Sequence, residues 1–175
     1  MESAKKENLR KAILESRPHS SEGLTENLIR LSLELNANAI ASYWPTSSEP
    51  DVTAFNNWVE LMGKKLLTPR VTGSTLEFAS GPTRPGQFGI LEPIGEPEVL
   101  GTADLILIPA LAVDTQGNRL GKGKGYYDRA LVGIKSQRFA VIFDPEFIET
   151  VPAEDHDVRV NGSVSPSAIR YLFHG

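Results

Sequence analysis

A-D-L-I-L-I-P-A-L-A-V-D-T-Q-G-N-R-L-G-K-G-K-G-Y-Y-D, residues 103–128, runs from an almost wholly apolar segment into a basic glycine loop. Ala103 to Pro109 is apolar at nearly every position, the pattern of a strand covered on both faces and therefore central in its sheet. Gly117 to Asp128 packs four glycines and three basic side chains into twelve positions. Glycine lets the backbone take positive φ and bring its N–H groups close to a ligand, while Arg119, Lys122 and Lys124 supply charge that a phosphate would neutralise. Ligands of open α/β sheets bind where such a loop leaves the C-terminal end of a strand. The segment from Arg119 to Arg129 holds four basic residues and one acidic one, a balance of +3, so the remainder carries −7 to give the overall −4. A cationic island in an acidic chain points to a small anionic ligand and away from a broad nucleic-acid surface. The loop matches neither G-x-x-x-x-G-K-[ST] nor G-x-G-x-x-G, so taken alone it also fits a solvated turn, and a dinucleotide oxidoreductase is disfavoured.

Outward from this stretch, helices and strands alternate. Leu9, Ile13 and Leu14 recur at helical spacing before Pro18. Leu24, Leu28, Leu31 and Leu35 keep steps of four, three and four, which places them on one face of a second helix over Glu22 to Leu35. Ala39 to Trp44 is a short strand. Asp51 or Thr53 caps a third helix carrying Phe55, Trp58, Val59 and Met62, which Gly63 ends. Lys65 to Pro69 and Thr75 to Ala79 are strands around a turn at Thr72 to Ser74. Gly81 to Pro97 is expected to be irregular, its four prolines and four glycines pinned to the body by Phe88, Ile90 and Leu91. Tyr126 to Val132 starts a short helix, Arg138 to Phe143 is a further strand, and a last helix is expected near Ser167 to Phe173. The alternation predicts an α/β sandwich around a largely parallel sheet, in one domain spanning residues 1–175.

The bulk properties narrow the class. With 40% hydrophobic and 23% charged residues, the 175-residue chain has the composition of an ordinary globular domain. No apolar stretch is long enough to span a bilayer, and Met1 to Arg17 lacks the apolar core of a secretory signal, so a cytoplasmic location is expected. The absence of cysteine removes disulfides, thiol nucleophiles and thiolate metal sites. His19, His156 and His174 lack paired ligand spacing, which leaves a hard, oxygen-bound ion as the metal to expect.

Four ordered stretches resemble the 5-formyltetrahydrofolate cyclo-ligase family, also called methenyltetrahydrofolate synthetase. Lys6, Leu9 and Arg10 resemble its K-x-x-L-R helix, and Tyr43 to Pro50, with Glu49, its folate-contacting strand and loop. Gly89, Ile90, Glu92 and Pro93 resemble its G-I-x-E-P stretch, followed by Asp104 to Ile106 and Pro109. R-L-G-K-G-K-G-Y-Y-D-R-A-L, from Arg119 to Leu131, is similar to its most specific signature, with Pro152 and His156-Asp157 downstream. The resemblance implies a three-layer α/β sandwich of the NagB/RpiA-like type, with a largely parallel, mixed sheet flanked by helices. It also implies conversion of 5-formyltetrahydrofolate to 5,10-methenyltetrahydrofolate with ATP and Mg²⁺, through a phosphorylated formyl intermediate, by a monomer without nucleic-acid or membrane partners. Such chemistry needs no protein nucleophile, because phosphoryl transfer rests on positioning and charge neutralisation.

Carried over by residue, the resemblance gives Lys6 and Arg10, together with Arg119, Leu120, Gly121, Lys122, Gly123, Lys124, Gly125, Tyr126 and Tyr127, to ATP. Lys122, Lys124 and Tyr126 are the implied catalytic residues. Trp44, Glu49, Glu92 and the segment Lys122, Gly123, Lys124, Gly125 and Tyr126 would contact folate, and Asp128 and Asp157 would hold Mg²⁺. Without the resemblance, Lys6 and Arg10 fit the solvated face of a helix, Trp44 and Tyr126 fit packing, and Asp157 fits an exposed acidic run with Glu154 and Asp155. Val113 and Asn161 depart from the family pattern, which keeps open a non-catalytic nucleotide- or folate-binding paralogue with a regulatory or RNA-associated role.

Overall fold

A computed structural model describes residues 1–172, the side chain of Phe88 excepted. Helix α1 (Glu2–Ser16) and helix α2 (Leu24–Glu34) precede strand β1 (Ala39–Ala41), helix α3 (Thr53–Leu61) and the hairpin of β2 (Lys65–Thr72) and β3 (Thr75–Ala79). A second hairpin, β4 (Thr83–Pro85) and β5 (Leu91–Pro93), leads to β6 (Leu105–Pro109), which is followed by a small ribbon of β7 (Ala112–Val113) and β8 (Arg119–Leu120). Helix α4 (Tyr126–Ala130), β9 (Gln137–Val141), β10 (Gly162–Val164) and β11 (Ile169–Tyr171) complete the described chain.

The main sheet has seven strands in the order β11-β10-β9-β6-β1-β2-β3. Strands β10, β9, β6, β1 and β2 run parallel, and antiparallel β11 and β3 close the two edges. β6 is central, as its apolar run predicts, and its side chains alternate between two cores. Leu105 and Leu107 join Ile40, Leu66, Phe139 and Val141 beneath α2 and α3. Ile106 and Ile108 join Ala41, Leu67, Ala140 and Ile142 on the face that carries α4, through Leu131 and the half-buried Tyr127. Leu24, Leu28 and Leu31 of α2 are fully buried, as the four-three spacing requires, each contributing about 1.5–3 kcal/mol. α1 has no continuous apolar face of its own to bury in either core. Lys6 is its one buried residue, Leu9 and Ile13 only lean on a third cluster under the β7–β8 ribbon, and Leu14 is half-exposed.

Three expectations are corrected. Residues 81–97 contain regular structure, since β4 and β5 pair around a 3₁₀ turn at Gln87–Gly89. Arg70 fastens this hairpin to β2 by donating from one Nη1 to the carbonyls of Pro93 (3.0 Å) and Gly95 (2.7 Å). Ile90 and Leu91 are half-buried there, while the Phe88 side chain lies outside the described residues. The stretch expected as a last helix is instead β11: pairing with β10 buries part of Ile169 against the first core and sets Tyr171 edge-on to Phe139 at 5.5 Å. Phe173 lies outside the described residues. Val52 occupies the N-cap position of the third helix without a side-chain cap, and Asp51, one residue further out, accepts the Thr53 N–H at 2.9 Å. Among the described residues no helix is long and apolar enough to cross a membrane.

Leu107 is 1% exposed at the centre of the first core. Leu107→Ala is expected to lower the unfolding free energy by about 2–5 kcal/mol, read from the midpoint shift in urea at unchanged slope.

Candidate active site

β1 and β6 lie side by side, yet the chain proceeds from β1 toward β2 and from β6 toward β9 on the opposite side. The segments leaving their C-terminal ends therefore diverge and open a crevice, the place where doubly wound sheets bind ligands. A cleft of about 770 Å³ occupies this position. Every residue expected for the site lines it: Lys6 and Arg10 from α1, Trp44 and Glu49 after β1, Glu92 on β5, Arg119 to Asp128, and Asp157.

The glycine loop is shaped by arginines from outside it. Gly121 gives its carbonyl to Arg10 Nε at 2.8 Å, and the Arg10 guanidinium lies 3.3 Å from where a Cβ on Gly123 would stand. Gly123 has φ +100° and Gly125 φ +69°, conformations that a side chain would strain. Arg129 stacks over the Tyr126 ring at 5.4 Å and donates to the Lys124 carbonyl at 2.9 Å and to Ser74 in the β2–β3 turn at 2.6 Å. The loop is thus clasped from both flanks, while the Lys124 ammonium has no ion-pair or hydrogen-bond partner among the described residues.

Three further cations of the cleft are paired with carboxylates on its walls. Arg119, buried, donates to Asp128 Oδ1 at 2.5 Å, and the same oxygen accepts the Val158 N–H at 3.1 Å. Lys122 Nζ stands 2.7 Å from Glu49 Oε1. Lys6 Nζ donates to Asp157 Oδ2 at 2.7 Å and to Glu154 Oε2 at 3.1 Å. Burial opposes the charge on Asp157, but the Lys6 hydrogen bond and the Glu154 N–H outweigh it and hold the carboxyl below its ordinary value. Burial likewise pulls Lys6 down, and its two carboxylate partners raise it above the ordinary lysine value. Tyr127 and Tyr43 are both raised, chiefly by burial and then by the Glu49 carboxylate, so each phenol keeps its proton at neutral pH.

Donor atoms of Glu154, His156 and Asp157 lie within 4.8 Å of one another. Asp128 is outside this group, so the two aspartates expected to share a metal sit in separate ion-pair systems on the cleft wall. Of these three neighbours, the H-D pair was legible in the sequence, whereas Glu154 was hidden in an acidic run. Arg17 carries no sequence signal at all. It is buried at the cleft floor, bonds Glu146 through Nε (3.0 Å) and Nη2 (3.1 Å), and donates from Nη2 to the Ala110 carbonyl (2.8 Å) just past β6. Burial raises the Glu146 carboxyl, and the Arg17 hydrogen bonds oppose that rise. The two departures from the family pattern are structural. Val113 is fully buried in the second core, away from the cleft lining, and Asn161 accepts the Arg138 N–H at 2.9 Å at the start of β9.

The fold and the cleft define an α/β protein whose ligand crevice sits at a topological switch point and is walled by a cationic glycine loop. The family model of the 5-formyltetrahydrofolate cyclo-ligases matches residues 3–166, and the chain belongs to that family. It is 34% identical over 181 residues to the 5-formyltetrahydrofolate cyclo-ligase of Mycolicibacterium smegmatis, covering 92% of this chain and 93% of that one. The NMR structure of Aquifex aeolicus 5,10-methenyltetrahydrofolate synthetase superposes with a TM-score of 0.82 at 32% identity, covering 97% of this chain and 94% of that one. The synthetase from Mycoplasma pneumoniae shares the fold at a TM-score of 0.76 and 22% identity, over 92% and 98% of the two chains.

The Lys6–Asp157 pair should be visible in the pH dependence of stability. Asp157 is lowered in the folded state, so its share is present above the unfolded carboxylate value and lost as pH falls through the folded one; Lys6 is raised, so its share is lost only in strong alkali. Lys6→Met is expected to cost about 2 kcal/mol at pH 7. The deficit relative to wild type should shrink below about pH 4 in urea titrations, and a constant deficit from pH 7 to pH 3 would contradict the pairing.

Proposed function

We propose that the protein converts 5-formyltetrahydrofolate to 5,10-methenyltetrahydrofolate with consumption of ATP and release of ADP and phosphate. The observation that carries this reading is the joining, in one crevice, of a clasped cationic glycine loop with an aromatic and carboxylate wall built from the other side of the switch point. The formyl oxygen attacks the γ-phosphorus as the bond to the β-phosphate oxygen breaks. N10 then adds to the activated formyl carbon and loses its proton, and phosphate departs with the former formyl oxygen. No step needs a protein nucleophile, in keeping with a chain that has no cysteine.

In this scheme Lys6 and Arg10 reach the nucleotide phosphates from α1, and the backbone of Arg119, Leu120, Gly121, Gly123, Gly125 and Tyr127 cradles them. Lys122 and Lys124 face the transferring phosphoryl group, where charge placed in advance lowers the barrier. The unpartnered Lys124 ammonium supports that role, since it is already free to meet phosphate. Tyr126 borders the reacting atoms, braced by Arg129. Trp44, Glu49 and Glu92 take the folate. The Trp44 Nε1 is buried with no partner among the described residues, and Glu92 packs its side chain over Gly86, within 2.3 Å of where a Cβ would stand there.

Two aspartates on the cleft wall fit a hard cation that also binds phosphate oxygens, since Mg²⁺ takes one or two carboxylates and fills its octahedron with phosphate and water. Asp128 and Asp157 would hold it once each had exchanged its ion pair, with Arg119 and with Lys6, for the metal, and Mg²⁺ would neutralise charge on the transferring group. Asp157 is suited to this because its carboxyl stays ionised at neutral pH.

Purified protein given 5-formyltetrahydrofolate and MgATP should form methenyltetrahydrofolate, followed by its absorbance, in step with ADP. Folate binding without product would instead favour a non-catalytic paralogue. Lys124→Ala is expected to lower kcat about 10²- to 10³-fold, and near wild-type turnover would remove Lys124 from the reacting phosphate. Asp128→Asn should raise the Mg²⁺ concentration needed for half-maximal rate, which an unchanged metal titration would contradict.

A further inference from the structure

Lys122 and Glu49 occupy one another. The Lys122 ammonium and the Thr46 hydroxyl both bond the same carboxylate oxygen, Oε1, at 2.7 Å and 3.0 Å. The two partners are unequal: the Glu49 side chain is 8% exposed and that of Lys122 48%. One is a buried carboxylate fixed after β1. The other is a long cation on a glycine loop, between Gly121 and Gly123, which can swing away at little conformational cost. The pair spans the switch-point crevice and joins its two walls.

A buried carboxylate is costly unless donors satisfy it. If an anion takes Lys122, Glu49 keeps only Thr46 among the described residues and becomes a strong acceptor for N–H groups on a second ligand. If instead a ligand with N–H donors takes Glu49, Lys122 is released with its full charge for phosphate. Each event removes the partner that competes with the other, and such coupling is reciprocal by thermodynamic necessity.

We propose that Glu49 is a specificity-determining residue of the reaction: by holding Lys122 it withholds that charge from the nucleotide until an N–H-donating heterocycle occupies the folate side. This rests on the reading of the crevice as a site for ATP and folate together. Both substrates then bind more tightly in each other's presence, and ATP meets its complete set of cations only beside an acceptor. Hydrolysis of ATP in the absence of folate is thereby suppressed, a form of induced fit in which the second substrate completes the site. Because Lys122 is half-exposed, the coupling should lie at the low end of the usual range, about five- to tenfold in affinity.

Calorimetric titration of the full chain tests this, with a non-hydrolysable ATP analogue and 5-formyltetrahydrofolate as probes. The wild type should bind folate about five- to tenfold more tightly when saturated with the analogue. Glu49→Gln should tighten the analogue by a similar factor without folate, and raise folate-independent ATP hydrolysis. Removing a negative charge would strengthen anion binding anywhere in the cleft, so the same substitution is repeated in a Lys122→Met background, where it should have no effect. An equal gain there assigns the effect to the general field of the carboxylate and overturns the proposal. Equal folate affinity of the wild type with and without the analogue overturns it too, while leaving turnover untouched. Absence of product in the turnover assay strikes the catalytic reading alone, and failure to bind the analogue overturns both.

Discussion

Strand β6 runs parallel to both its neighbours, so the connections must pass above and below the sheet and cover it on both faces. That constraint organises the rest of the molecule. It puts β1 on one side and β9 on the other, sends their connections in opposite directions, and leaves a gap where the chain exits β6. The gap cannot be filled by the sheet itself. It is bounded instead by whatever sequence follows β1 and β6, and here that is Trp44 to Glu49 on one wall and the β7–β8 ribbon with its glycine loop on the other. The site is a consequence of the packing of Leu105 to Ile108.

Around this gap the protein stores charge in matched pairs. Arg119 with Asp128 and Lys122 with Glu49 each set one cation against one carboxylate across the walls, and Lys6 is set against Asp157 and Glu154. Charges left alone at these depths would cost several kcal/mol, so pairing lets a strongly polar site exist inside a stable fold. It also means that ligands must exchange with groups already engaged, and the strength of binding depends on how easily each pair yields. The pairs differ in that respect. Arg119 is almost wholly buried and its partner Asp128 is fixed by the Val158 N–H, Lys6 is buried between two carboxylates, and Lys122 is a half-exposed side chain on the glycine loop.

α1 follows the same logic. With no continuous apolar face, it is tied to the body by polar contacts: Lys6 to the 154–157 turn, Arg10 to the Gly121 carbonyl, and Arg17 at its C-terminal end to Glu146 and Ala110. All three anchors line the cleft, so the placement of the helix and the electrostatics of the site are parts of one network. The Arg17–Glu146 pair extends it to the end of β9, since Glu146 also accepts the Phe143 N–H at 2.8 Å.

Much of this was legible in the chain because it is local or periodic. The apolar run of β6, the leucine spacing of α2, the glycines that need positive φ and the ordered motifs from Lys6 to Asp157 identify the sheet, the loop, the family and the residues of the cleft. What was hidden depends on distant partners. Residues 81–97 looked irregular because proline and glycine hide a hairpin that only the pairing of β4 with β5 and the grip of Arg70 stabilise. The last strand read as helix because nothing in Ile169 to Tyr171 specifies β10 as its neighbour. Arg17 gave no signal, since its importance lies in a glutamate 129 residues away. The sequence by itself determined which residue types surround the ligand and in what order along the chain, because motif and periodicity are properties of neighbours. Only the tertiary structure decided which charge answers which, setting Lys122 on Glu49, Arg119 on Asp128 and Lys6 on Asp157. Coulomb attraction and desolvation depend on distance in space, and that distance exists only once the sheet has closed.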